Sequence, residues 1–155
     1  YALLDVTSLS MVVANAGCVY PYLRRGNVVS EINVSGMPLG TWPDFNYTSR
    51  TVALCPGDLL VFSSDGLVEA RGNNGVLFGF ERLEHELKNL PPDVDPQTAV
   101  ARLVDSAMAF IGDTELQDDM TVLVVRVTGQ AAPDAGRVIR GSRSSSRPHT
   151  LSPRS

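Results

Sequence analysis

The first part of the chain consists of short β-prone runs separated by turn residues, which is typical of β-strands, and over Phe45–Leu54 the residues alternate between two faces with a period of two. Six short runs of this kind precede residue 65: Tyr1–Asp5, Leu9–Asn15, Tyr20–Arg25, Val28–Val34, Phe45–Leu54 and Leu59–Ser64. Gly26-Asn27 predicts a hairpin turn between the third and fourth runs. The last run is mostly apolar, which predicts a strand buried on both faces.

The apolar spacing changes to that of helices from Gly79 onward. This spacing predicts a first helix that ends at Pro91-Pro92, because proline cannot continue a helix. One side of this helix would carry the apolar residues Phe80, Leu83, Leu87 and Leu90. Asp95 as N-cap, Pro96 at the first position and Gly112 as C-cap predict a second helix. Its predicted core stripe is Val100, Leu103, Val104, Ala107 and Ile111.

A valine-rich run over Met120–Val127 predicts one more strand after the helices. The order is therefore many strands, two adjacent helices and a final strand. This order predicts an α+β fold in which the helices pack on one face of a largely antiparallel sheet.

The charge distribution predicts where the folded domain ends. Residues 1–128 carry 8 Lys+Arg against 16 Asp+Glu, whereas residues 129–155 carry five Arg and one Asp. The second segment is rich in Gly, Pro, Ser and Arg and lacks apolar periodicity, so we predict a disordered tail over residues 129–155 after a folded domain at 1–128. No aromatic residue interleaves with its arginines, and we therefore expect a solvated tail rather than a nucleic-acid-binding segment.

Composition narrows the setting of the protein further. No apolar run approaches the ~20 residues of a membrane-spanning helix, and no signal peptide is visible. The sequence starts with Tyr1 rather than Met, so we expect it to begin within a longer protein. Cys18 and Cys55 are too few for a disulfide framework, and we predict buried, reduced thiols in a cytoplasmic protein.

Two acidic positions stand at the ends of predicted strands. Asp65 follows the Leu59–Ser64 run, and Asp118-Asp119 precede the final strand. If these strands are antiparallel neighbours, Asp65 and Asp118 meet at one edge of the sheet, where carboxylates favour a hard cation such as Mg²⁺ or Mn²⁺. Two alternatives remain open at this point: Asp65-Gly66 is also a hairpin-turn signal, and Asp118-Asp119 also fits a solvated loop.

The remaining candidates for chemistry are weaker. His85 lies on a charged stretch of the first helix and His149 lies in the tail, so a nucleophile activated by histidine is poorly supported. Glu69 and Arg71 are predicted to be surface charges, and Trp42 is predicted to anchor a loop.

Five segments in order carry a family resemblance: Ala14-Asn15-Ala16-Gly17, Gly36-Met37-Pro38-Leu39-Gly40, the run from Gly57 to Arg71, Phe78-Gly79, and Asp118-Asp119-Met120-Thr121. In these segments, residues 1–127 resemble the C-terminal part of the SpoIIE/RsbU-type serine phosphatases. That group is the bacterial branch of the metal-dependent PP2C-like (PPM) protein phosphatases.

The resemblance implies a PP2C-like α-β-β-α sandwich that holds a binuclear Mn²⁺ or Mg²⁺ centre between largely antiparallel sheets. It implies that Asp65 and Asp118 bind metal, with Gly66 and Asp119 directly behind them. The implied activity is hydrolysis of phosphoserine or phosphothreonine on a STAS-type anti-sigma-factor antagonist, in sigma-factor regulation. A possible homodimer in the cytoplasm is implied, with no nucleic-acid or membrane partner.

Two departures from the family pattern shape these expectations. The Gly-Gly-Asp and Asp-x-x-Gly-His-Gly segments that supply further metal-binding aspartates do not occur in the 155 residues. We therefore expect an N-terminally truncated domain with little activity of its own, exposed sheet edges and self-association. Cys18 stands where the family commonly has His, so we expect this departure to affect substrate positioning or phosphate contact rather than the fold. A pseudophosphatase that binds a partner without turnover, and a plain structural domain, are the alternative interpretations.

Overall fold

The chain forms seven short strands and three helices in a computed structural model that describes residues 1–114 and 116–129. In chain order they are β1 (Ala2–Asp5), β2 (Ser10–Val13), β3 (Tyr22–Arg25), β4 (Val28–Glu31), β5 (Arg50–Ala53), β6 (Leu59–Ser63), α1 (Asp65–Val68), α2 (Gly79–Asn89), α3 (Pro96–Ile111) and β7 (Val122–Arg126). The predicted tail at 129–155 lies outside the described residues except for Gly129, so it stays a prediction.

The strands form two antiparallel sheets. A three-stranded sheet has the order β1-β2-β5, and a four-stranded sheet has the order β4-β3-β6-β7. The predicted hairpin is confirmed, since β3 pairs with β4 around Gly26-Asn27 and Gly26 has a φ of 58°. In the β6–β7 pair, Leu59 lies opposite Arg126 and Ser63 lies opposite Val122. The pairing of β6 with β7 that the sequence analysis required is therefore present.

Strand β6 separates two hydrophobic cores. On one face, Leu59 and Val61 pack with Leu83 and Leu103 of the helices. On the other face, Leu60 packs with Met11 of the three-stranded sheet. All three of these β6 side chains are buried, as the apolar run predicted. The described residues thus stack as a helical layer, a four-stranded sheet and a three-stranded sheet, which agrees with the expected α+β class.

The ends of α3 follow the predicted capping pattern. The Asp95 carboxylate accepts hydrogen bonds from Thr98 N at 2.9 Å and Thr98 Oγ1 at 2.6 Å, and Pro96 is the first helical residue. At the other end Gly112 has a φ of 63°, and its N–H donates to Met108 O at 3.0 Å. The buried face is shifted from the predicted stripe: Ala99 is buried, whereas Val100 and Val104, predicted to lie in the core, are half-buried.

Three sequence predictions are wrong about what is ordered or buried. The Phe45–Leu54 strand is confined to Arg50–Ala53, because β2, its partner in the described part of the chain, offers four residues for pairing. Phe80 is 50% exposed, since Phe78 takes the core position in front of α2. Trp42 is 66% exposed and does not anchor its loop.

Both cysteines are exposed free thiols rather than the predicted core residues. Each lies in a turn that is closed by polar side chains. The Asn15 side chain accepts from Cys18 N and donates to Cys18 O, both at 2.8 Å. Cys55 N donates to the Asp58 carboxylate at 2.8 Å. These backbone contacts fix the turns and leave the thiols at the surface.

The sandwich is open along the side of the edge strands β1 and β7. A mainly apolar cavity of about 450 Å³ lies there, and Leu4, Phe62, Leu123 and Val125 contribute to its lining. Leu123 is 55% exposed. This agrees with the expected exposed edges. None of the helices described in 1–114 and 116–129 is long and apolar enough to cross a membrane.

Candidate metal centre

Reciprocal hydrogen bonds join the end of β6 to the start of β7. Ser64 N donates to Thr121 O at 3.0 Å, and Thr121 N donates to Ser64 Oγ at 2.9 Å. The Ser64 hydroxyl donates in turn to Asp119 O at 3.1 Å. The sequence places Asp65 directly after Ser64 and Asp118 directly before Asp119, so this junction brings the two predicted metal-binding segments together.

Gly66 lies against the backbone of the acidic segment. A Cβ at this position would lie 2.4 Å from Asp119 O and 3.5 Å from the carbonyl carbon of Asp118. Only a residue without a side chain permits this approach. Gly66 therefore holds the start of α1 in backbone contact with the acidic segment.

Asp65 opens helix α1 rather than a hairpin turn. The backbone continues into a helical turn, in which Glu69 N donates to Asp65 O at 2.8 Å. Leu67 and Val68 of this turn are buried in the core between the four-stranded sheet and the helices. The helix therefore fixes the backbone of Asp65 to the core while its side chain stays exposed.

The two carboxylates are held in similar local geometries. Asp65 Oδ1 accepts from Gly66 N at 3.0 Å, and Asp118 Oδ1 accepts from Asp119 N at 2.7 Å. Both side chains are exposed, and neither Oδ2 atom accepts a hydrogen bond from another described residue. Each carboxylate thus keeps one oxygen available to a ligand.

The donor chemistry at this junction fits a hard divalent cation. Carboxylate oxygens are ligands that Mg²⁺ and Mn²⁺ prefer, and Mg²⁺ commonly keeps several waters beside one or two carboxylates. Among the described residues, no group of three or more His, Cys, Asp or Glu side chains gathers around one point. Asp65 and Asp118 can therefore supply part of a coordination sphere, with the rest left to water or further residues.

Two other segments quoted for the family resemblance pack against each other beside β6. A Cβ on Gly36 would lie 1.8 Å from Asn15 O, so the glycine loop crosses the Asn15 turn at van der Waals distance. Cys18 and Ser63 line the same apolar cavity along the open side of the sandwich. Cys18 therefore borders the cavity that the end of β6 also lines.

A second cavity, of about 230 Å³, borders Asp118 directly. It is lined by Gly66, Glu69, Ala70, Arg71, Ile111, Leu116, Gln117 and Asp118. Glu69 and Arg71 are exposed, as predicted, but sequence reasoning missed their position beside Asp118. The signal that could have found them is their place directly after the short helix that Asp65 opens. His85, by contrast, lies exposed in the middle of α2, where its side chain forms a hydrogen bond with one described residue, Asn89, at 2.9 Å.

Comparison with known proteins gives consistent matches. The family model of stage II sporulation protein E (SpoIIE) matches residues 1–128. Stage II sporulation protein E of Bacillus subtilis is 29% identical over 126 residues, which cover 81% of this chain and 15% of that protein. The phosphoserine phosphatase RsbU of Bacillus subtilis is 32% identical over 108 residues, which cover 68% of this chain and 30% of that protein. The chain thus spans less than a third of either relative.

A solved structure shows the same fold. It contains the PP2C phosphatase domain and a fragment of the regulatory domain of SpoIIE from Bacillus subtilis, and it matches with a TM-score of 0.69 at 27% identity. The match covers 81% of this chain and 37% of that one. The two sheets and the helical layer described above are therefore the PP2C-like arrangement.

Proposed function

Since the chain belongs to the SpoIIE family of PP2C-like phosphatases, we propose that it forms part of a metal-dependent protein serine/threonine phosphatase. The observation that carries this proposal is the junction of β6 and β7, which places the Asp65 and Asp118 segments in contact through Ser64 and Thr121.

Asp65 and Asp118 are the proposed metal-binding residues, and Gly66 and Asp119 keep their segments close together. A bound pair of Mn²⁺ or Mg²⁺ ions would lower the pKa of a water and offset charge on the phosphoryl oxygens. The chain supplies the positioning: α1 anchors Asp65 to the core, and the Ser64 hydroxyl holds the backbone ahead of Thr121. This reaction needs no protein nucleophile, which agrees with the exposed, isolated position of His85.

The proposed substrate group is phosphoserine or phosphothreonine on a protein. One relative is named as a phosphoserine phosphatase, which supports this choice. The family resemblance further supports a STAS-type anti-sigma-factor antagonist as the substrate protein, action in the cytoplasm, and a homodimer as the assembly. The binuclear centre and the choice between Mn²⁺ and Mg²⁺ rest on the same resemblance.

A pseudophosphatase is the second candidate function. The described residues gather two carboxylates at the junction and no third ligand of the usual kinds, so binding and turnover have to be tested separately. Such a site would bind a cation or a phosphoprotein without turning it over. The two candidates differ in catalysis, and the phosphatase is the one that requires Asp65 and Asp118 to bind metal.

A metal titration combined with a turnover assay tests the proposal. Free Mn²⁺ is followed by electron paramagnetic resonance in the 155-residue chain, in Asp65→Asn, in Asp118→Asn and in the control Asp105→Asn, whose side chain is exposed on α3. We expect Asp65→Asn and Asp118→Asn to bind Mn²⁺ at least tenfold more weakly than the unchanged chain. The control Asp105→Asn should bind Mn²⁺ with unchanged affinity. Unchanged binding in both would refute the metal site. Release of p-nitrophenol from p-nitrophenyl phosphate then separates an active phosphatase from a binding module.

A further inference from the structure

Arg71 and Asp118 line the same cavity but do not form an ion pair. Ion pairs in the described part of the chain join Arg25 to Asp58, Lys88 to Glu84 and Arg126 to Asp93, so Arg71 N and Asp118 O atoms are more than 4.0 Å apart. Residues of opposite charge therefore border this cavity without pairing with each other, and the cavity can admit a charged ligand. We propose that Arg71 binds the phosphate group of the substrate, with the metal at Asp118 on its other side; this rests on the proposed function.

The charges across this cavity then alternate in sign. A divalent cation would lie next to the Asp118 carboxylate, the phosphate next to the cation, and the Arg71 guanidinium next to the phosphate. A guanidinium presents planar paired donors that match two phosphate oxygens, which is the geometry of bidentate recognition. Among the described residues, Arg71 spends one donor on the protein, from NH1 to Gly75 O at 3.4 Å. Most of its five N–H donors therefore remain available.

The size and lining of the cavity suit a phosphorylated side chain. Its volume of about 230 Å³ equals the space of roughly eight water molecules. The buried Ala70 and Ile111 contribute an apolar part of the wall that can contact the aliphatic stem of a phosphoserine. Gln117 offers a neutral donor and acceptor at the rim. Glu69 would repel the phosphate, so it is expected to limit how deeply the group enters.

An ordered hairpin holds the backbone of Arg71. In this segment, the 70–78 hairpin, Phe78 N donates to Ala70 O at 2.7 Å and Gly72 N donates to Val76 O at 3.0 Å. An isolated antiparallel bridge pairs Arg71 with Leu77. Arg71 thus lies on a closed loop with cross-strand hydrogen bonds rather than on a free surface segment.

The 70–78 hairpin is in turn fixed to the helices. The Phe78 and Phe110 rings meet edge to face at 5.7 Å, and the Arg82 guanidinium lies 4.5 Å from the centre of the Phe110 ring. Arg82 NH1 also donates to Phe78 O at 2.9 Å. At the tip, Thr114 Oγ1 donates to Asn73 Oδ1 at 2.5 Å. These contacts preorganise the position of Arg71 relative to the cavity, which lowers the entropic cost of binding.

Binding of O-phospho-L-serine tests this inference apart from catalysis. Its ³¹P resonance is titrated with the 155-residue chain in Mg²⁺ and again in EDTA. The variants are Arg71→Met, Arg71→Lys and the control Arg102→Met, because Arg102 is exposed on α3 and makes no hydrogen bond or ion pair with another described residue. We expect Arg71→Met to weaken binding in Mg²⁺ at least tenfold, Arg71→Lys to retain part of it, and Arg102→Met to stay within twofold. Mn²⁺ affinity and far-ultraviolet circular dichroism should match the wild type in all three.

Each outcome decides the inference. Equal affinity of wild type and Arg71→Met, or no binding by the wild type in Mg²⁺, would overturn it. A parallel loss of Mn²⁺ affinity or of folded structure in both Arg71 variants would also overturn it, because Arg71 would then act on the site as a whole. If the Asp65 and Asp118 variants leave Mn²⁺ binding unchanged while phosphoserine binding in EDTA still depends on Arg71, the metal site fails and the phosphate contact stands.

Discussion

Replacement of Gly66 by alanine should separate the two acidic segments. The new Cβ would start 2.4 Å from Asp119 O, and real contacts of this kind stay beyond 3.0 Å, so one backbone must move by about 0.6 Å or more. The atom in the way belongs to the backbone and cannot rotate aside. The Asp119 carbonyl also accepts from Ser64 Oγ at 3.1 Å, so its retreat strains the β6–β7 junction.

The expected cost follows from this overpacking. Extra atoms in a well-packed region typically destabilise a protein by about 1–3 kcal/mol. If this strain energy instead displaces Asp118 relative to Asp65, it would weaken Mn²⁺ binding. About 1–3 kcal/mol corresponds to a roughly 5- to 150-fold loss of Mn²⁺ affinity, since about 1.4 kcal/mol is a factor of ten. The two readouts are urea unfolding followed by circular dichroism and the Mn²⁺ titration by electron paramagnetic resonance.

Gly57→Ala is the matched control. Gly57 has a φ of +92° and no atom within 4 Å of its would-be Cβ, so alanine there is strained without a clash. Its cost is about 1–2 kcal/mol through the backbone conformation alone. Gly57 precedes β6, at the opposite end from Asp65. Gly66→Ala with wild-type Mn²⁺ affinity, or Gly57→Ala with an equal loss of affinity, would refute the role of this contact.

Three further predictions concern the fold. Arg25 donates hydrogen bonds to the buried Asp58 carboxylate at 2.7 and 2.9 Å. Arg25→Met leaves this carboxylate without its cation and should lower the free energy of unfolding in urea by about 2–3 kcal/mol. An unchanged unfolding midpoint would contradict this expectation. Hydrogen bonds from Thr98 lower the pKa of Asp95. Asp95→Ala should therefore lose its full increment of unfolding free energy above the ordinary pKa of 3.8, and the loss should shrink as pH falls through the lowered pKa. A loss that is independent of pH in urea titrations would count against the cap. Leu123→Lys should reduce self-association in light scattering, because Leu123 is an exposed apolar residue on the edge strand β7; a wild type that is monomeric at every concentration would refute the assumed association.

Local sequence signals predicted much of the framework correctly. The Asp95 cap, Gly112 and the Gly26 hairpin are determined by residues a few positions apart, and the structure contains all three. The β6–β7 pairing could also be anticipated, since both runs are apolar and each adjoins an acidic segment. The proposed site depends on this pairing, so the general position of Asp65 and Asp118 was predictable.

Features set by distant contacts were not predictable. The alternation over Phe45–Leu54 exceeds the strand because pairing is limited by the length of β2. Phe80 fits a helical stripe, yet Phe78 occupies the core through its bond to Ala70. Arg71 looks like any surface charge along the chain, and only the packing of the 70–78 hairpin against α3 places it on a cavity with Asp118. Gly66 indicated a turn in the sequence, whereas in the structure it allows the start of α1 to contact the Asp119 backbone.

The β6–β7 pairing also determines where the chain can change in length. Adding or removing one residue inside either strand would advance the chain by ~3.3 Å and turn every following side chain to the other face. Such a change would exchange the two hydrophobic cores that β6 separates and would carry Asp118 away from Asp65 at the same time. Insertions and deletions among natural homologues should therefore be absent from Leu59–Gly66 and from 118–126 and should accumulate in the exposed loop around Gly40 and Thr41.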